Sequence, residues 1–258
     1  MTTLRTLLAA GAAFLAFGGA AHATTLLGLT ADGHLLKIDS ETRRATAPMR
    51  VTGADGRLLG IDQRPADGKL YGVTESGQIV TIDPATARAT QVSRLNMPFT
   101  SGGRAVVDFN PVADRLRLMG MGGMNFRINV TTGEVTRDGE LKYQAGTAWA
   151  ETRPRVVAGA YTNSMQGATA TQLFTVDTLS RSLNLQAPPN DGVQQPKGEV
   201  APSLPTGVAF DILAGNPMGF LLAGNMLHMV NLENGSAGAG MMVTGLPASE
   251  VIDIAAWR

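Results

Sequence analysis

The sequence has 258 residues, with 21 basic and 21 acidic side chains, so its formal net charge at neutral pH is zero. A chain without a field of one sign does not attract nucleic acid or an anionic membrane surface, and we therefore expect no nucleic-acid partner. The absence of cysteine excludes disulfide bonds, iron–sulfur clusters and a thiol nucleophile. Stability must therefore come from burial and strand pairing.

Residues 1–23 have the composition of a secretory signal peptide. Arg5 supplies the positive charge, residues 7–17 form a short apolar core, and residues 21–23 match a small-x-small cleavage site. That core is shorter than the roughly 20 apolar residues that span a bilayer. We therefore expect cleavage to leave one domain, residues 24–258, as a periplasmic or secreted monomer without a membrane span.

A repeated phrase organises the rest of the chain: an apolar strand end, then Asp or Asn, then a tight turn. The Asp or Asn of each copy lies at Asp39, Asp83, Asn129, Asp177 and Asn231. Such a side chain accepts a hydrogen bond from the backbone N–H two residues later. A period of about 40 to 50 residues is typical of a propeller blade with four short strands.

The predicted strands fall into five units and one remaining segment. In chain order they are 26–30 and 34–38; 58–62, 69–73, 78–82 and 89–92; 104–109, 115–119, 125–130 and 134–137; 155–161, 173–177 and 183–186; 207–211, 219–223, 226–231 and 239–244; and 251–257. The first unit lacks an opening strand, and the last segment resembles one. The sequence thus predicts an all-β, five-bladed β-propeller, closed by pairing the C-terminal strand with the N-terminal blade.

Two long connections are predicted, at residues 141–154 and 187–206. Loops of this length on a rigid scaffold either carry binding residues or serve as mobile linkers, and the sequence leaves both interpretations open.

Carboxylates recur in the predicted opening strands, at Asp62, Asp108, Asp211 and Asp253. Opening strands of propeller blades line the central channel, so these side chains should converge. Two interpretations stay open. The group binds Ca²⁺, which prefers oxygen ligands, or each carboxylate accepts backbone hydrogen bonds from the next blade and closes the ring.

Two further sets of side chains could bind a ligand. Met119, Met121 and Met124 offer thioethers of the kind that bind Cu(I), although methionine also fills gaps between sheets. The guanidinium groups in the third unit could hold an anion, or could be surface charge paired with nearby aspartates. They belong to Arg115, Arg117 and Arg127.

The chain after the predicted signal peptide resembles a known family over essentially its whole length, most clearly in the third and fourth units. The segments on which this resemblance rests are residues 103–117 (GRAVVDFNPVADRLR), 125–133 (NFRINVTTG), 160–163 (AYTN) and 188–192 (PPNDG). They are similar to a bacterial exported domain of unknown function, found alone behind a signal peptide or beside haemolysin-type calcium-binding repeats. The resemblance implies export and a propeller-like fold, and it transfers no catalytic residue.

The sequence therefore favours an exported binding or scaffold module, whose ligand is a small molecule, a glycan or another protein. The alternative is a carbohydrate- or ester-directed hydrolase that uses the channel carboxylates, with Ca²⁺ as its only candidate cofactor. Only His34 and His228 follow the predicted signal peptide, which excludes a three-histidine zinc site. No Gly-x-Ser-x-Gly elbow, P-loop or dinucleotide fingerprint is present.

Overall fold

The structure is a computed structural model that describes residues 24–201, 203–205 and 207–257. The predicted signal peptide, residues 1–23, lies outside the described residues. Within the described ranges the chain forms β-strands and one short 3₁₀ turn, Pro189–Asp191. None of these residues belongs to a helix long and apolar enough to cross a membrane.

The described strands are short, most of them four to seven residues long. In chain order they are β1 (Thr25–Thr30), β2 (His34–Asp39), β3 (Arg44–Ala45), β4 (Met49–Arg50), β5 (Leu58–Gln63), β6 (Leu70–Thr74), β7 (Gln78–Ile82), β8 (Ala89–Arg94), β9 (Ala105–Asn110), β10 (Arg115–Gly120), β11 (Asn125–Ile128), β12 (Val135–Arg137), β13 (Lys142–Tyr143), β14 (Val156–Tyr161), β15 (Leu173–Asp177), β16 (Ser182–Gln186), β17 (Val193–Glu199), β18 (Val208–Asp211), β19 (Met218–Ala223), β20 (Met226–Asn231), β21 (Met241–Met242) and β22 (Val251–Trp257).

These strands form five sheets, which are the blades of a propeller. Blade 1 has the order β22-β1-β2-β3, with β4 also on β2, and blade 2 is β5-β6-β7-β8. Blade 3 is β9-β10-β11-β12, blade 4 is β14-β15-β16-β17-β13, and blade 5 is β18-β19-β20-β21. The predicted five-bladed architecture is confirmed.

The inner strands β22, β5, β9, β14 and β18 contact one another in a closed ring around the centre. The ring closes through β22, which pairs antiparallel with β1 so that Leu26 lies opposite Ala256 and Gly28 opposite Ile254. The predicted closure by the C-terminal strand is therefore confirmed. It removes the open edge that the first blade would otherwise present.

The apolar core is divided among the interfaces between blades. Four clusters contain ten or more buried side chains each, and the cluster between blades 3 and 4 contains six. The small cluster includes Val106 and Met119 of blade 3 and Val156, Tyr161 and Leu173 of blade 4. Because less apolar surface is buried there, buried polar contacts must hold this interface together.

The repeated phrase forms the same turn in each blade. Oδ1 of Asp39, Asp83, Asn129 and Asn231 accepts a backbone N–H two residues later, at 2.8 to 3.0 Å. The fourth residue after the Asp or Asn has a positive φ in every copy, between 54° and 77°. Local turn chemistry therefore explains why this phrase recurs.

One copy of the phrase lies at the opposite end of its blade. Asp177 connects the second and third strands of blade 4, whereas the other copies connect the third and fourth strands. Its Oδ2 accepts hydrogen bonds from the Tyr143 hydroxyl at 2.8 Å and from the Arg155 N–H at 3.0 Å. This fully buried carboxylate thus anchors the segment that enters blade 4.

The interpretation of both long connections as loops is partly wrong. Residues 187–206 contain β17, the fourth strand of blade 4, whose Pro196 breaks the expected strand pattern. Residues 141–154 contain β13, which pairs parallel to β17 and adds a fifth strand. Blade 4 is therefore a five-stranded sheet, in which β13 of the first connection, residues 141–154, is the outermost strand.

Candidate functional site

Three inner strands place a channel carboxylate at the same register position, and β22 places one two residues earlier, with Ala255 at the matching position. Asp62 lies on β5, Asp108 on β9, Asp211 on β18 and Asp253 on β22, each only 3% to 7% exposed. One oxygen from each of Asp62, Asp108 and Asp211 lies within 4.8 Å of the other two. Of the four carboxylates predicted to converge, Asp62, Asp108 and Asp211 lie together at the centre of the ring, and Asp253 is not part of this group.

Each channel carboxylate accepts a backbone N–H from the next blade. Asp62 Oδ2 accepts from Phe109 of blade 3 at 2.7 Å, and Asp108 Oδ1 accepts from Tyr161 of blade 4 at 2.8 Å. The remaining two contacts follow the same rule: Asp211 Oδ2 accepts from Ala256, and Asp253 Oδ2 accepts from Ile61 at 2.8 Å. The carboxylates therefore link adjacent inner strands across four of the five interfaces.

Among the described residues, the interface between blades 4 and 5 lacks such a link. β14 carries Ala160 where β5, β9 and β18 carry aspartate, so no carboxylate from this position reaches β18. Tyr161 of the same strand receives the link from blade 3 through its N–H. Within the described residues, a channel carboxylate thus joins the inner strands at every interface except this one.

Glycine allows the close approach that one of these links requires. A Cβ at Gly60 would lie 2.6 Å from Asp253 Oδ2 and 2.7 Å from Val107 Cγ2. Both distances are shorter than van der Waals contact, so a side chain at this position would push β5 away from its neighbours. Gly60 therefore sets the spacing at which Asp253 reaches the Ile61 N–H.

Burial and mutual repulsion determine the protonation of the channel carboxylates. Burial raises the pKa of Asp62 well above its usual range, and the charge of Asp211 adds to the rise. The pKa of Asp108 is raised by burial and then by the charge of Asp62. Burial likewise raises the pKa of Asp253. The folded ring therefore favours protonated carboxyl groups.

This arrangement predicts that stability falls as the pH rises. The folded chain holds protons on Asp62, Asp108 and Asp253 that the unfolded chain releases near the ordinary pKa of 3.8. From about pH 4 up to the raised folded values, the folded state binds more protons, so its free energy of unfolding decreases with pH. We expect a higher melting temperature at pH 5 than at pH 8. A melting temperature that climbs from pH 5 to pH 8 would contradict this assignment.

A guanidinium group crosses one end of the channel. Arg104, directly before β9, donates from Nη2 to the carbonyl oxygens of Val208 in blade 5 and Ile252 in blade 1, the latter at 2.7 Å. Burial lowers the pKa of Arg104. Its Nε is buried without a hydrogen-bond partner among the described residues. The side chain therefore obstructs this end of the channel.

Two of the three arginines proposed as an anion clamp already hold a carboxylate of the chain itself. Arg127 donates from Nε and Nη2 to the two oxygens of Asp138, at 2.7 and 2.8 Å, and Arg117 donates from Nη1 to Asp138 Oδ2 at 2.6 Å. Arg115 is exposed and contacts backbone carbonyls of Ala113 and Asp114. The structure thus brings Arg117 and Arg127 together and leaves Arg115 apart.

Arg117 is the centre of a buried polar network between blades 3 and 4. It is 1% exposed, and its other partners are the Tyr161 hydroxyl at 3.1 Å, Asn125 Oδ1 at 2.7 Å and Asn190 Oδ1 at 2.9 Å. This network lies at the interface with the smallest apolar cluster. Sequence reasoning missed Asp138, Tyr161 and Asn190 as partners, because they are far apart in the chain.

The structure does not bring the three methionines together. Met119 is buried between blades 3 and 4, Met121 packs against the cluster between blades 4 and 5, and Met124 packs against the cluster between blades 2 and 3. Their thioethers thus fill separate gaps between sheets, the use that methionine has in irregular cores.

The channel carboxylates fit backbone donors better than they fit Ca²⁺. Both oxygens of Asp62 and of Asp253 already accept backbone N–H groups, including those of Gln63 and Ile254. A bound Ca²⁺ would need several of these oxygens as ligands, and the backbone donors compete for them. Ca²⁺ binding at this position stays a prediction that metal titration can test.

A groove of about 610 Å³ lies between blades 4 and 5, at the interface without a carboxylate link. It is larger than the cavity of about 420 Å³ between blades 1 and 2. Its floor is apolar and includes Phe174, Leu185 and Leu232. Its walls are mostly polar and include Asn163, Gln172, Lys197, Asn216, Asn231 and Glu233. We call this feature the blade 4–5 groove.

Comparison with known proteins identifies the family. The model of the family described as "Domain of unknown function (DUF4394)" matches residues 34–255. The chain belongs to this family. No match was found among curated proteins.

Solved structures share the fold at low sequence identity. A structural genomics protein of unknown function from Bacteroides thetaiotaomicron VPI-5482 is 17% identical, with a TM-score of 0.53 over 90% of this chain and 61% of that chain. The chain thus spans about three fifths of the length of that protein, and the likeness shows the fold alone.

Two further structures are more distant. The computationally designed Ika8 protein is 12% identical, with a TM-score of 0.41 over 88% of this chain and 61% of that one. An auxiliary nutrient binding protein from Bacteroides ovatus ATCC 8483 is 18% identical, with a TM-score of 0.41 over 64% of this chain and 44% of that one. Neither similarity is high enough to bear on function.

Proposed function

We propose that this member of the DUF4394 family is an exported, monomeric binding module without catalytic activity. The observation that carries the proposal is the use of the channel carboxylates. All four are buried, and each accepts a backbone N–H of the neighbouring blade. A hydrolase would need two of them in an open, solvent-connected pocket.

The burial of the carboxylates also argues against glycoside hydrolysis. Glycosidases hold their two carboxyl groups about 5 to 9.5 Å apart, so that a sugar and a water molecule fit between them. Here all four carboxylates are buried, which leaves no open space beside them for a sugar. The binding-module proposal therefore places the ligand outside the channel, at loops on one end of the ring.

Turnover assays test this proposal directly. We expect the chain, residues 24–258, to release no product from chromogenic glycosides and esters, with or without added Ca²⁺. The informative variant is Asp62→Asn, which removes one channel carboxylate. Turnover by the unmodified chain that is lost in this variant while the melting temperature is unchanged would favour the hydrolase alternative.

A further inference from the structure

We propose that the blade 4–5 groove binds an uncharged oligosaccharide through side-chain amides. This inference rests on the proposed function, because it names the ligand class of the binding module.

Two amide donors in the groove are held in place by their own turns. Asn216 Oδ1 accepts the Met218 N–H at 3.0 Å, and Asn231 Oδ1 accepts the Glu233 N–H at 2.8 Å. Each bond fixes which end of the amide is the oxygen. The Nδ2 groups of both residues have no partner among the described residues, so two oriented donors are available on the blade 5 wall.

The blade 4 wall supplies acceptors. Asn163 donates from Nδ2 to the Ala170 carbonyl at 3.0 Å, which leaves its Oδ1 available as an acceptor. Gln172 is exposed beside it, and its side-chain amide makes no hydrogen bond within the described ranges. A ligand that spans both walls must therefore both accept and donate hydrogen bonds. Hydroxyl groups do both.

The charges in the groove balance. Lys197 on β17 and Glu233 after β20 are both exposed, and neither has an ion-pair partner in the described part of the chain. One cation and one anion on opposite walls create no field that selects a ligand of one sign. Both side chains can still hydrogen-bond to hydroxyl groups. The lining thus favours an uncharged polar ligand.

A peptide fits these walls less well. Peptides in extended conformation bind mainly by adding a strand to a free sheet edge. The floor residues Phe174 and Leu185 lie on β15 and β16, which are paired on both sides within blade 4. β17 pairs with β16 along its length and with β13 only at Val193 and Gln194. Beside Lys197, the groove residue of this strand, Pro196 has no N–H that an added strand could use. The groove therefore offers mainly side chains, and its volume is within the range of small-molecule sites.

Binding can be measured by isothermal titration with neutral tetrasaccharides of glucose, xylose and N-acetylglucosamine. The informative variants are Asn216→Asp and Asn231→Asp, because aspartate keeps the oxygen that forms the turn and removes the Nδ2 donor. We expect each variant to weaken binding of a tetrasaccharide about tenfold, since a hydrogen bond from the amide to a sugar hydroxyl is lost.

Asn129→Asp is the matched control. Asn129 forms the same turn in blade 3, away from the groove, with Oδ1 accepting the Thr131 N–H at 3.0 Å. This variant adds the same charge and should bind like the unmodified chain. Failure of every tetrasaccharide to bind, or equal binding by all variants, would overturn the oligosaccharide site.

Two other outcomes separate this inference from the proposed function. Binding of short peptides with the same sensitivity to Asn216→Asp and Asn231→Asp would overturn the ligand class and leave the binding module intact. Recovery of a cleaved tetrasaccharide, detected by mass spectrometry after the titration, would contradict the proposed function itself. Recovery of the intact sugar is the expected result.

Discussion

Replacing Arg117 with methionine is expected to lower the free energy of unfolding by about 3 to 5 kcal/mol, the range for breaking a buried ion pair by removing one partner. Asp138 would keep only Arg127 as a counterion, although its side chain is 5% exposed. The hydroxyl of Tyr161 and the amide of Asn125 would also lose a buried partner. The loss should be large because the apolar cluster between blades 3 and 4 is small.

Urea unfolding at pH 7 measures this loss, and Arg115→Met is the control. Arg115 lies on the same strand but is exposed, so its substitution should change stability by less than about 0.5 kcal/mol. If Arg117→Met does not fold, Arg117→Lys keeps the charge without the planar fork and should still be less stable than the control. A loss below about 1 kcal/mol for Arg117→Met would show that the network is dispensable.

Two substitutions of Asp108 should have opposite effects. Asp108→Ala removes the acceptor of the Tyr161 N–H and leaves that buried donor unpaired, which should cost about 1 to 3 kcal/mol. Asp108→Asn keeps an oxygen acceptor and removes an ionisable group whose pKa is raised by burial and by Asp62. We therefore expect Asp108→Asn to match the unmodified chain at pH 5 and to exceed its stability at pH 8.

Thermal unfolding of both variants at the two pH values tests this contrast. Equal destabilisation by alanine and asparagine would mean that the carboxylate charge is needed. A catalytic or metal-binding role would require that charge, whereas a purely structural link between inner strands requires only the acceptor.

The ring architecture was predictable because it depends on interactions between residues that are close in sequence. Each blade repeats a turn in which Asp or Asn accepts its own downstream N–H, as at Asp83 and Asn129. The channel carboxylates also follow a local pattern, an aspartate after an apolar residue in the opening strand. The period and this pattern predict both the number of blades and the meeting of Asp62, Asp108 and Asp211.

Blade 4 contains two features that the sequence did not predict, the contacts of Asp177 and the strand β17. The turn at Asp177 looks like the others, yet its carboxylate is bound to Tyr143 and Arg155, which are distant in sequence. β17 contains Pro196, and a proline within a segment argues against a strand, so the sequence does not predict β17. Such features depend on tertiary contacts, which a turn motif or a strand pattern does not record.

The groove and the arginine network were missed for the same reason. Asn231 belongs to the repeated turn phrase, and the pairing of β19 with β20 places it beside Asn216 within blade 5. Only the packing of blade 4 against these two residues forms the groove. Arg117 and Arg127 read as an anion clamp, and the chain itself supplies the anion through Asp138. The sequence left pairing with nearby aspartates open as the alternative, and it did not identify Asp138 as the partner.

The melting temperature of the chain with Ca²⁺ and with EDTA tests the central claim most directly, because a ligand that binds only the folded state raises it. The measurement is made at pH 7 on the unmodified chain and on Asp108→Asn. If the channel carboxylates serve as links between blades, both proteins will melt at the same temperature in Ca²⁺ as in EDTA. A rise with Ca²⁺ that disappears in Asp108→Asn would contradict this account and identify the channel as a metal site.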